Sequence, residues 1–358
     1  MPETSNSWLD FLVSQGASLS ETAPPEVASA PDSSTGAGTT LAHNDFFTAA
    51  THLGTLALEG ADAANFLHNQ ITNDVLSLEN NTARLAGYCS PKGRLLATLL
   101  LWKSEDQLFL TLPRDILPGI QKRLQMFVMR AKVKITDVSD SRIALGLYAP
   151  SIETLQRLCP TLPATAYEVA HGEAGTLIRL ADALHHPRYY LIGTLQQACD
   201  AWQMLSQFMP AAPTSLWRWT EIMAGVPQIT QATQEQFVPQ MINFEAIGGV
   251  NFRKGCYPGQ EIVARSQYLG KFKRRMFVAN LESTNDVTDV QAGTEVFSSQ
   301  DPEQPCGMVV NADRGPDGRL ACLVELKLDA IVTTIHAAMP DGPVLQLGSL
   351  PYVLPEPE

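Results

Sequence analysis

Hydrophobic and polar positions alternate along much of this chain, and their period separates strands from helices. Leu53 to Leu58 alternates and predicts a strand, after which Gly60-Ala61-Asp62 opens a helix carrying Phe66 and Leu67. Leu95–Trp102 and Gln107–Leu112, joined through Lys103-Ser104-Glu105-Asp106, predict a β-hairpin with a four-residue loop. Ile116, Leu117, Ile120, Leu124, Phe127 and Val128 fall at helical spacing, and two further strands are predicted at Val133–Val138 and Ile143–Tyr148. A strand at Tyr189–Ile192 and a helix around Trp202–Phe208 follow. From Met276 onward, short strands separated by Gly, Pro, Asn and Asp predict a small β-barrel or sandwich. The class is therefore α+β with an all-β C-terminal module.

The ends of the chain differ from its middle. Residues 20–40 are almost entirely Ser, Thr, Ala, Pro, Gly and acids, with Val27 the only large aliphatic, so residues 1–40 are expected to be a disordered acidic tail. Trp8, Leu9, Phe11, Leu12 and Val13 can form one or two amphipathic turns, either a transient helix or a docking peptide. The expected organisation is a tail over 1–40, an α+β core over 41–270 divided near 150, and a β-barrel-like module over 271–358.

Composition sharpens this picture. The 358 residues carry 25 Lys and Arg against 37 Asp and Glu, a formal charge of −12 that argues against a general nucleic-acid or anionic-membrane binder. Residues 1–83 hold ten acids and no Lys or Arg, whereas residues 251–275 hold seven bases and only Glu261. One short basic window thus stands between acidic ends. The longest strongly apolar run, Leu95–Trp102, is too short to span a bilayer, and the N-terminus lacks a basic signal region, so a cytoplasmic protein is expected. Six scattered cysteines form no C-x-x-C pair and seven histidines are dispersed, so no protein-held metal is expected. No Walker A sequence and no G-x-G-x-x-G after a strand supports nucleotide hydrolysis or hydride transfer.

The candidate chemistry lies in Asn251-Phe252-Arg253-Lys254-Gly255-Cys256-Tyr257-Pro258-Gly259-Gln260-Glu261-Ile262-Val263-Ala264-Arg265. Gly255 and Pro258-Gly259 place Cys256 on a tight loop, and Gln260–Leu269 reads as a helix. A thiol near a helix N-terminus with Arg253 and Lys254 beside it favours the thiolate, which can act as nucleophile, redox group or transient metal ligand. The same segment resembles the K-G-C-[FY]-x-G-Q-E signature of the YgfZ-type folate-binding proteins, relatives of the glycine-cleavage aminomethyltransferase. Further matches run through Gln70-Ile71-Thr72-Asn73-Asp74-Val75, Pro91-Lys92-Gly93-Arg94, Ala224-Gly225-Val226-Pro227, Phe237-Val238-Pro239-Gln240 and Leu350-Pro351-Tyr352.

The resemblance implies a three-part ring around a folate-binding channel that the signature loop faces. It implies tetrahydrofolate or a related folate as ligand, Cys256 as the reactive residue, and Trp217, Lys254, Tyr257, Gln260, Glu261 and Arg265 as folate contacts. It further implies a role in maturing or repairing iron–sulfur enzymes, with radical-SAM tRNA-modifying enzymes as clients; the charge and the short apolar runs add the expectation of no membrane partner and no direct nucleic-acid binding. Three departures stand out. A second folate-contacting tryptophan aligns with Leu53, the aminomethyltransferase's aspartate falls in the acid-free stretch Arg94–Leu99, and its pterin-gripping glutamate aligns with Met223. Glu221, two residues away, is expected to point elsewhere. Without those acids a true aminomethyl transfer lacks an agent. The alternatives are a one-carbon transferase acting on an amine or RNA, and a scaffold that docks partners through the acidic tail.

Overall fold

The computed structural model describes residues 7–29, 45–268, 272–281 and 290–355. The chain opens with α1 (Ser7–Ser14) and a two-stranded sheet of β1 (Ser18–Leu19) and β2 (Val27–Ser29). Next come β3 (Phe46–Ala49), β4 (Leu53–Glu59), α2 (Ala63–His68), β5 (Arg84–Cys89), β6 (Leu95–Ser104) and β7 (Gln107–Pro113). After α3 (Leu117–Val128) and β8 (Lys134–Asp137) follow β9 (Ile143–Tyr148), α4 (Ile152–Leu158), β10 (Val169–Gly172), β11 (Gly175–Ala183) and β12 (His186–Gly193). Three helices, α5 (Leu195–Leu205), α6 (Thr214–Met223) and α7 (Gln260–Tyr268), lead to β13 (Arg274–Leu281). The last strands are β14 (Glu295–Ser298), β15 (Asp301–Arg314), β16 (Leu320–Lys327), β17 (Ile335–Ala337) and β18 (Val344–Leu347).

Two five-stranded sheets and one barrel result. The first sheet runs β5-β6-β7-β4-β8 and the second β10-β11-β12-β9-β3, while β13-β16-β15-β14-β17-β18 close on themselves. Closure removes the sheet edges that a small β module would otherwise expose. The β6–β7 hairpin is tighter than its sequence suggests. Ser104 pairs with Gln107, so Glu105-Asp106 alone make the turn, with Glu105 at φ +54°. The second sheet takes β3 and β9 from before residue 150, so its strands are drawn from both sides of the expected division.

Residues 7–29, expected to be disordered, are folded. Trp8 and Leu12 are buried in a cluster with Phe47 and Trp202, and Trp8 meets Trp202 edge-on at 6.0 Å. Val27 is buried too, and its N–H donates to the Thr214 hydroxyl at 3.1 Å. A few well-spaced large apolar groups anchor this segment onto a surface that another part of the chain supplies, which composition alone does not reveal. Residues 30–40 of the expected tail lie outside the described residues.

Helix α6 ties the modules together, packing against β15 and β16 of the barrel and against β2, β3, β9 and β11. Its buried face carries Leu216, Trp217, Thr220 and Glu221, the spacing of a helix sunk on one side. Trp217 lies so close to β9 that a β-carbon on Gly146 would fall 2.6 Å from its ring. Gly146→Ala is therefore expected to force α6 off the second sheet and destabilise the protein by roughly 1–3 kcal/mol, measured as a lower midpoint of urea unfolding.

Candidate functional site

Where the three modules meet, a hollow of about 280 Å³ is lined by His52, Pro113, Arg218, Glu221, Gln228 and Asn311, among others. It adjoins a narrower, more apolar cleft through the shared residues Pro113, Glu221, Val226 and Gln228. Leu85, Tyr167, Leu180, Arg188 and Tyr190 wall that cleft. Leu85 and Tyr167 also line an outer depression that includes Asn73, Arg84 and Asn251.

Glu221 sits at the junction. Its Oε1 accepts from the Tyr190 hydroxyl at 2.7 Å and from the Trp217 indole N–H at 3.1 Å. Its Oε2 lies 3.9 Å from His52 Nε2. Burial pushes the Glu221 carboxyl above its ordinary pKa, against the pull of Arg188. His52 is also buried, both of its ring nitrogens lack hydrogen-bond partners among the described residues, and burial followed by the Arg218 charge holds it neutral. The junction therefore offers a carboxylate oxygen and an unpartnered imidazole to whatever enters.

This corrects the expectation for Glu221, which was placed away from the site because Met223 aligns with the relative's glutamate. A signal was available: Glu221 is four residues beyond Trp217, so the two share one helix face. Trp217 itself, expected to contact folate, is fully buried and lies behind Glu221 instead of lining the hollow. His52, Arg188 and Tyr190 carried no motif and were missed. Leu53 does line the cleft, as an aliphatic. The stretch at 94–99 contributes Thr98 and Leu99 to the cleft and no acid.

The signature loop forms a second locus. Helix α7 begins at Gln260 as predicted, and Cys256 is exposed just before it. Gly259, at φ +80°, packs on the Ser90–Arg94 turn so closely that any β-carbon there would collide with the Ser90 carbonyl. Lys254 turns inward, donating to the carbonyls of Ile71 at 2.8 Å and of His68, with its ammonium 5.1 Å from the Tyr257 ring. His68, whose Nδ1 meets Asp74 Oδ1 at 3.1 Å, lies against Gly255. Tyr257 is buried and Gln260 half-buried, whereas Glu261 and Arg265 face solvent. None of Lys254, Cys256, Tyr257, Gln260, Glu261 and Arg265 lines the central hollow or its cleft; of the segment, only Asn251 reaches the outer depression.

Much of the basic window is structural. Arg274 pairs with Glu325 at 2.9 Å, and buried Arg275 pairs with Glu245. Among the described residues no group of three or more His, Cys, Asp or Glu comes together to hold a metal ion. No helix among them is long and apolar enough to cross a membrane.

The family of the GCVT N-terminal domain matches residues 46–181. The tRNA-modifying protein YgfZ of Colwellia psychrerythraea is 28% identical over 310 residues, which cover 85% of this chain and 92% of that protein. The chain is similar to that protein along most of the length of both. The solved glycine cleavage system aminomethyltransferase T of Bartonella henselae superposes with a TM-score of 0.69 at 15% identity, covering 96% of each chain. The chain thus has the fold of that aminomethyltransferase, an α+β core with a C-terminal β-barrel.

Burial brings the Lys254 ammonium down from 10.5 to about 8, although Asp74 and Cys256 pull the other way. The unfolded chain therefore binds the extra proton between about pH 8 and 10.5, and this residue's contribution to stability rises across that window. Lys254→Met should flatten that part of the stability profile, read as the difference between the two proteins' Tm-against-pH curves. Identical curves would mean that Lys254 titrates as it does in water.

Proposed function

We propose that this chain binds a reduced folate at the Glu221 junction and serves as a cytoplasmic accessory protein in the upkeep of iron–sulfur enzymes, thereby supporting tRNA modification. The observation that carries the ligand is the pairing of a buried carboxylate oxygen and an unpartnered neutral imidazole with an apolar, aromatic cleft. A pterin is a flat ring with adjacent N–H donors and a carbonyl acceptor. Glu221 would take the donors, His52 the carbonyl, and Tyr167 with Leu85 the ring face. Bound tetrahydrofolate would supply a carrier of one-carbon units. The relative's name, tRNA-modifying protein, supports the connection to tRNA. Iron–sulfur enzymes of the radical-SAM type are the clients proposed, with exposed Cys256 as the group that meets them.

Removing the charge at the junction tests the ligand. Glu221→Gln should weaken binding of 5-formyltetrahydrofolate by roughly 10–100-fold, measured by calorimetry, because a charge-assisted hydrogen bond is worth about 1.5–3 kcal/mol. Equal affinities would remove Glu221 from the site. For the cellular role, Cys256→Ala should fail to restore tRNA thiomodification in a strain lacking the native gene, and full restoration would exclude the thiol.

A second reading, a folate-dependent one-carbon transferase acting on an amine, is favoured by one observation. Glu221 is a carboxyl with a raised pKa at the hollow, so it can hold or release a proton at Oε2. Purified protein should then form a formaldehyde-level adduct on a simple amine from methylenetetrahydrofolate, and Glu221→Gln should stop it.

A further inference from the structure

One wall of the central hollow comes from outside the region of the GCVT match. Thr22, Ala23, Pro24 and Glu26 line it, although the matched domain begins at residue 46. This segment is held at both ends by apolar anchors, Trp8 against Trp202 and Val27 in the core. Between the anchors, its charged contact with the core is made by Glu26. Both Glu26 oxygens accept from Arg218 Nη1, at 2.5 and 2.6 Å, while Arg218 Nε donates to Asp313 Oδ2 of β15 at 2.6 Å. The guanidinium thus has one carboxylate fixed by the barrel and a second that belongs to a segment folded over the hollow. A guanidinium donates to a carboxylate in the same way whatever molecule carries it. Exchanging one carboxylate for another leaves the local charge unchanged, even with Asp115 at the rim. His52, buried with both nitrogens unpartnered among the described residues, lines the same hollow, so the space beside Arg218 offers polar groups besides the guanidinium.

We propose that Glu26 is an internal stand-in for a ligand carboxylate: the hollow has a carboxylate site at Arg218, and a small molecule that fills it displaces Glu26 and frees residues 18–29 from the wall. The identity of that carboxylate as the glutamyl tail of a folate rests on the folate reading above; the exchange itself does not. Glu26 then makes the site selective, because only a ligand that replaces its two hydrogen bonds gains full entry.

The test compares the full chain with its Glu26→Gln variant, using three probes: 5-formyltetrahydrofolate, 6-hydroxymethylpterin without a carboxylate, and N-(4-aminobenzoyl)-glutamate without a pterin. Glu26→Gln keeps the shape of the side chain but not its charge. It should tighten both glutamyl probes about tenfold by calorimetry and leave the pterin unchanged. Arg218→Met should remove that gain. In the wild-type chain, either glutamyl probe should speed amide hydrogen exchange over residues 18–29. The proposal is overturned if Glu26→Gln leaves glutamyl affinity unchanged, if it shifts the pterin equally, or if no glutamyl probe binds at millimolar concentration. If aminobenzoyl-glutamate frees the segment while 5-formyltetrahydrofolate binds no better than it does, the folate reading fails and the exchange stands. If 5-formyltetrahydrofolate binds tightly and residues 18–29 stay protected, the folate reading stands and the exchange fails.

Discussion

A carboxylate taken out of water costs several kcal/mol unless hydrogen bonds replace its hydration. Glu221 recovers part of that cost through the Tyr190 hydroxyl and the Trp217 indole, both of which meet the same oxygen. The arrangement makes demands on the modules around it. Tyr190 must come from β12, Trp217 must lie flat on Gly146 of β9, and α6 must hold both against the barrel. Arg188 adds its guanidinium over the Trp217 ring at 5.2 Å and donates to Thr220, so Trp217, Thr220 and Glu221 on the buried face of α6 are hydrogen-bonded as well as packed. The position of one free oxygen, Oε2, is thereby set by two of the modules and the helix between them. That is the precision a ligand site needs from its supporting shell.

The cysteine locus is built on a different principle. There the close approach of two glycine-bearing turns, at Gly93 and Gly259, fixes the loop, and inward-facing Lys254 pins it to the end of α2. Exposure of Cys256 at a rigidly held loop suits a group that meets a macromolecular partner more than one that serves an enclosed small molecule. The positive charge of residues 251–275 reads differently once placed. Arg274 and Arg275 neutralise buried or half-buried glutamates, and Arg253 and Arg265 are left at the surface.

Strands that read as apolar runs between polar turns were legible even where both faces are buried, as in Ile143–Tyr148, where only Ala144 is not fully buried. Ile143–Tyr148 and the start of α7 fall where their pattern puts them. The barrel was legible from the rhythm of its turns. The N-terminal segment was not, because its composition describes a chain that cannot fold by itself, and the surface that folds it lies near residues 202 and 214. For the site, motif matching found the cysteine loop, where backbone geometry demands particular residues. It passed over Glu221 because alignment to a relative tracks position, whereas hydrogen bonding tracks helix face. His52 and Tyr190 left no local trace; only tertiary structure brings them to the junction.

The two loci are distinct but mechanically joined. Asn73 donates to the carbonyls of Leu85, at 2.7 Å, and Gly248, at 2.8 Å, while Thr72 donates to the Gly249 carbonyl and accepts at its own carbonyl from the Asn251 N–H. Leu85 is a wall of the apolar cleft, and residues 248–251 are the root of the cysteine loop. A short hydrogen-bond ladder therefore runs from the apolar cleft to the base of the loop. Breaking the rung at Gly249 or at Leu85 would strand a buried polar group. The wall of the cleft and the root of the cysteine loop are thus held in one frame by the hydrogen bonds of Thr72 and Asn73.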